Sequence, residues 1–101
     1  MQITLNSICT PSDKIVAREI EGELIIVPLV SGIGDMEDEL FTLNETGKVI
    51  WAEFNGKISL EEIINKIQTE YNASKEEIEQ DVFGLVNELV KRQMLDVINK
   101  N

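Results

Sequence analysis

The spacing of the apolar residues changes near Asn44. Upstream of it, β-branched residues gather in two short runs, Ile15 to Ile20 and Leu24 to Leu29. Downstream, apolar residues return at every third or fourth position. Strand side chains alternate between two faces, whereas helical side chains repeat about every 3.6 residues. The chain is therefore expected to build a sheet first and helices second, an α+β order. No Pro-, Gly- or Ser-rich linker divides the halves, and 101 residues suit one domain. A single unit spanning residues 1–101 is the expectation.

The two β-rich runs flank Glu21-Gly22, where glycine tolerates the positive φ of a tight turn, so they read as an antiparallel hairpin. Ser31 to Asp38, with Gly32, Gly34 and three acids, reads as a connection, and Glu39 to Leu43 as a third strand. Pro11, Ser12 and Asp13 read as part of a mobile lead-in over residues 1–13, with Met1 to Ile8 available to pair with a neighbour.

Asn44 is a suitable cap for a first helix carrying Val49, Ile50, Trp51 and Phe54, closed by Asn55-Gly56. Trp51, the largest of these, is expected to anchor the junction of sheet and helices. Ser59-Leu60-Glu61-Glu62 forms a capping box for a second helix with a buried face of Ile63, Ile64, Ile67 and Tyr71. Ser74-Lys75-Glu76-Glu77 opens a third helix that should reach about Gln93. On it Ile78, Val82, Leu85 and Leu89 form the expected core stripe, while Phe83, Val86, Val90 and Met94 widen the apolar arc. That extra arc fits either a second packing contact with the first helix or the lining of a groove.

Nineteen acids against nine bases give a formal charge of −10. Such a surface repels nucleic-acid phosphates and anionic lipid, so neither is an expected partner. A strand-rich half followed by a close helix pair suggests a winged helix-turn-helix and hence a nucleic-acid-binding regulator. The third helix, however, would offer Glu76, Glu77, Glu79 and Asp81 to the major groove with only Lys75 as a base. An acyl carrier shares the size and acidity, yet Ile58-Ser59-Leu60 lacks the aspartate of the carrier attachment motif, and an all-helical carrier has no strands. With one cysteine, Cys9, and no histidine, zinc sites and histidine-based triads lose their usual groups, so no metal, cofactor or catalytic residue is expected. Glu61, Glu62, Glu76 and Glu77 sit in first helical turns, where carboxylates complement the helix dipole. The N-terminus lacks a basic and apolar signal, and Pro28 interrupts the longest apolar stretch, Leu24 to Val30. A cytoplasmic protein is expected.

Leu40-Phe41-Thr42-Leu43-Asn44-Glu45-Thr46-Gly47-Lys48-Val49-Ile50-Trp51 closely resembles the centre of the PqqD-like family of peptide chaperones. Phe54-Asn55-Gly56-Lys57, Ser59 to Ile64, Glu70-Tyr71 and Glu77 to Leu95 continue the likeness, and Val16 to Glu23 precedes it. Members act as recognition elements for ribosomally synthesised, post-translationally modified peptides, in pyrroloquinoline quinone biosynthesis and elsewhere. The resemblance implies a winged helix-turn-helix in which a three-stranded antiparallel sheet is followed by three helices. It implies that a precursor leader peptide adds as a further strand, for delivery to a radical S-adenosylmethionine enzyme or another maturase. It places the docking strand at Glu39, Leu40, Phe41, Thr42 and Leu43, and the helical lining at Ile78, Glu79, Val82, Phe83 and Val86. A protein-interaction module without a peptide precursor is the alternative.

Overall fold

A computed structural model describes residues 3–29 and 41–99. Eight elements follow in order: β1 (Cys9–Pro11), β2 (Ile15–Ile20), β3 (Glu23–Pro28), β4 (Phe41–Leu43), α1 (Glu45–Trp51), α2 (Leu60–Glu70), α3 (Lys75–Lys91) and β5 (Leu95–Val97). The architecture is α+β, with a three-stranded antiparallel sheet, β2-β3-β4, and three helices. A second sheet pairs β1 with β5. Among the described residues no helix is long and apolar enough to cross a membrane.

The hairpin forms where its turn residues predict. Ile20 pairs with Glu23, leaving Glu21 and Gly22 as a two-residue loop at φ 51° and 84°. Two successive positive φ values match the right-handed twist of the strands on either side. β3 then pairs with β4 from Leu24↔Leu43 to Ile26↔Phe41. The expected connection Ser31 to Asp38, and Glu39 and Leu40 of the expected third strand, lie outside the described residues.

Each helix starts at its predicted cap. The Asn44 side chain accepts the Gly47 N–H at 2.7 Å. Ser59 accepts from the Glu62 N–H at 3.2 Å while the Glu62 carboxylate accepts the Ser59 N–H at 2.9 Å, a complete capping box. At α3, Ser74 accepts the Glu77 N–H at 3.2 Å, but the Glu77 carboxylate accepts from the Ser74 hydroxyl at 3.1 Å and not from its backbone N–H. The first helix ends at Trp51, before the Asn55-Gly56 stop.

Three readings of the core change. Phe54 is 4% exposed while Trp51 is only half-buried, standing edge-on to Phe54 with ring centroids 6.0 Å apart. Phe54, not Trp51, is the aromatic anchor, because α1 stops short and the following turn directs Phe54 inward. Tyr71, expected on the buried face of α2, is 48% exposed as the helix ends there. On α3 the buried stripe is Ile78, Val82, Val86 and Leu89, with Leu85 half-buried beside it. Ile26, Ile50, Leu60, Ile63, Ile64, Met94 and Leu95 complete the centre of the core.

The N-terminal segment is an integral part of the structure and not a lead-in. Cys9, Thr10 and Pro11 pair with Val97, Asp96 and Leu95. The Leu60 and Glu61 N–H groups, two of the orphan donors in the first turn of α2, donate to the Ser7 and Leu5 carbonyls at 2.9 and 3.0 Å. Ser7, Cys9 and Ser12 are buried. Lys48 fastens α1 to the hairpin, donating to the Glu19 carboxylate at 3.1 Å and to the Gly22 carbonyl at 2.8 Å. The hydrogen bond to Glu19 raises the Lys48 pKa above its ordinary value.

Candidate functional site

The β2-β3-β4 sheet has two edges, and they differ. β2 carries Arg18 and Glu19, both exposed, and such charges discourage pairing with another chain. Over its described residues β4 carries no charge: Phe41 is half-buried, Thr42 exposed and Leu43 buried. Among the described residues β4 pairs with β3 on one side only, so part of its backbone hydrogen-bonding capacity points away from β3.

Across from that edge lies α3, and the space between is a groove of about 410 Å³. Phe41, Thr42, Leu43 and Asn44 form one wall, Thr46, Gly47 and Ile50 the floor, and Asp81, Gly84, Leu85 and Glu88 the other wall. From Asp81 to Glu88 the helix makes two turns, about 10 Å, the length of about three residues of extended chain. The wall thus matches β4 in length.

Packing fixes the width. A Cβ on Gly47 would approach the Leu43 side chain and Asn44 Oδ1 to 3.2 Å, so glycine lets the end of β4 sit directly on the first turn of α1. At the far end Arg92 donates to Glu88 at 2.8 Å and lays its guanidinium over the Phe41 ring, 4.9 Å from the centroid. This contact joins the last turn of α3 to the start of β4. A neighbouring depression of about 250 Å³ is mostly apolar, formed by Val49, Ile50, Ile67, Tyr71, Ala73 and Ile78, and shares Thr46, Ile50 and Asp81 with the groove.

The expected site residues are distributed as follows. Phe41, Thr42 and Leu43 line the groove, whereas Glu39 and Leu40 lie outside the described residues. Ile78 lines the neighbouring depression. Val82 and Val86 are fully buried in the core. Phe83 and Glu79 are half-buried and are not among the groove-lining residues, Phe83 packing against the core from the flank away from the groove. At about 100° per residue, Asp81, Gly84 and Glu88 fall on the opposite side of the core stripe from Phe83. The apolar excess on α3 therefore marks packing, and the groove wall is the more polar flank. The sequence signal for it is a lone glycine set between two acids one helical turn away on either side.

Cys9, in β1, is not among the residues that line the groove. It is 1% exposed, and burial pushes its pKa from 9.0 up to about 11, so the thiol keeps its proton at neutral pH. Among the described residues no group of acids, histidines or cysteines is placed to hold a metal ion.

Fold and groove together define a class: a small α+β domain with one sheet edge, uncharged over Phe41–Leu43, facing a helical wall. The profile of PqqD, described as Coenzyme PQQ synthesis protein D, matches residues 23–95, and the chain belongs to that family. A solved structure, "TbiB1 in Complex with the TbiA(beta) Leader Peptide", has the same fold, with a TM-score of 0.70 at 23% identity over 90% of this chain and 99% of that one. Among curated proteins nothing matches.

Proposed function

We infer that this protein binds the leader segment of a ribosomally synthesised precursor peptide along β4 and presents it to a modifying enzyme. The carrying observation is the contrast between edges: β2 carries exposed charges, while β4 over Phe41–Leu43 has none and faces a helix across a gap of about 410 Å³. An extended peptide there completes the outward backbone hydrogen bonds of β4 and places alternate side chains against α3. Main-chain pairing supplies affinity and the wall supplies selectivity. Family membership agrees, as does the leader peptide bound by TbiB1 on the same fold. On this reading α1 to α3 with the β2-β3 hairpin form a winged helix-turn-helix put to peptide rather than nucleic-acid recognition. The protein acts by holding its ligand, with bond chemistry left to the partner, a radical S-adenosylmethionine enzyme or another maturase.

The test uses synthetic 15-residue windows from the short open reading frames beside the gene, titrated calorimetrically. A binding window is then remade with single backbone N-methyl groups at successive positions. Strand addition predicts that affinity falls at every second position, where the amide pairs with β4, and holds at those between. Uniform tolerance of N-methylation would reject strand addition.

A further inference from the structure

Gly84 is the tenth residue of a 17-residue helix, far from either end. Glycine there weakens a helix relative to alanine, and natural sequences keep it in such places when something must come close. Among the described residues nothing does: a Cβ built on Gly84 meets no atom within 4 Å, and φ is not positive. Among the described residues, then, the glycine neither relieves crowding nor permits an unusual backbone. Yet it lies in the groove wall, opposite Phe41, Thr42 and Leu43.

Its neighbours describe what the opening takes. Positions three before and four after a helical residue share its face, and here they are Asp81 and Glu88. Glu88 is occupied by Arg92 at 2.8 Å, whereas no cation pairs with Asp81 among the described residues. Leu85 adds an apolar surface beside the opening.

We propose that Gly84 is a specificity slot: the missing side chain admits one long basic residue of the bound peptide, its methylenes over Gly84 and Leu85 and its cation at Asp81. The inference rests on the strand-addition reading, and its test separates the two. A displayed library of random 14-residue peptides is panned on the full chain, on Gly84→Leu and on Gly84→Ala, and the selected pools are sequenced. Both substitutions add helix propensity at a site with free space, so both variants should melt above the parent, Gly84→Ala by about 4–8 °C. The parent should select lysine or arginine at one fixed position. Gly84→Leu should select glycine, alanine or serine there with the remaining consensus unchanged, and should bind the parent's best peptide at least about tenfold more weakly. Should Gly84→Leu melt below the parent, the same shift toward small residues is read from Gly84→Ala. An identical consensus on parent and variants would overturn the slot while leaving strand addition standing. Failure of the parent to select any peptide would overturn both.

Discussion

Leu85 and Val86 are adjacent on α3, yet the structure assigns them opposite duties, and paired asparagine substitutions expose the difference. Val86 is 0% exposed. Val86→Asn forfeits about 1.5–3 kcal/mol of apolar burial. It also strands an amide in a core without partners, a further 1–3 kcal/mol or roughly that. The total, about 3–6 kcal/mol, reaches the lower end of the stability of about 5–15 kcal/mol expected of a domain this size. Leu85 is half-buried at the groove, so Leu85→Asn forfeits roughly half of a leucine's burial, about 1 kcal/mol, and its amide reaches water. Thermal melts followed by circular dichroism should place Leu85→Asn about 4–8 °C below the parent, with Val86→Asn lower by more than about 12 °C or unfolded. If Leu85→Asn were the collapsed protein and Val86→Asn the folded one, α3 would be rotated from the orientation described.

Three further outcomes follow from the packing and the caps. Phe54→Ala should cost about 3–5 kcal/mol in urea unfolding and Trp51→Ala clearly less, the reverse ranking restoring Trp51 as the anchor. Asn44→Ala, which removes the 2.7 Å cap on Gly47, should cost about 1 kcal/mol in the same assay, and no change would show the cap to be idle. The unfolded chain releases the Cys9 proton near pH 9.0 and the folded protein keeps it to about 11, so its contribution is intact below pH 9.0 and is lost as pH rises toward 11. The melting temperature of the parent should fall faster over that window than that of Cys9→Ala; parallel curves would contradict the burial of the thiol.

Much of the fold was legible because its signals are local. Glu21-Gly22, Asn44, Ser59 and Ser74 each fix an element boundary through atoms within a few residues, and each does so here. What escaped depends on distant partners. Cys9 to Pro11 has no telling period, and its structure comes from Leu95 to Val97, at the other end of the chain. Phe41 to Leu43 are legible as a strand and line the groove, whereas the α3 residues that line it do not stand out in the sequence. Periodicity gives the width of an apolar arc but not which neighbour covers which flank, so it does not tell that Phe83 packs on the core while Gly84 and Asp81 line the groove. Trp51 misled through size alone: its helix ends too early for it to reach the centre that Phe54 and Ile50 occupy.

The central claim is that an extended peptide pairs with β4, and amide exchange measured residue by residue tests it most directly. The protein, labelled with nitrogen-15, is exchanged into heavy water alone and with a saturating window peptide from a neighbouring short reading frame. The account predicts slowed exchange at amides within Phe41–Leu43 that point away from β3, with cross-peaks from peptide backbone protons to those residues and to Gly84 and Leu85. Exchange along Ile15–Ile20, the guarded edge, should stay as it was. A peptide that binds while leaving Phe41–Leu43 unprotected, or that protects Ile15–Ile20 instead, would contradict it.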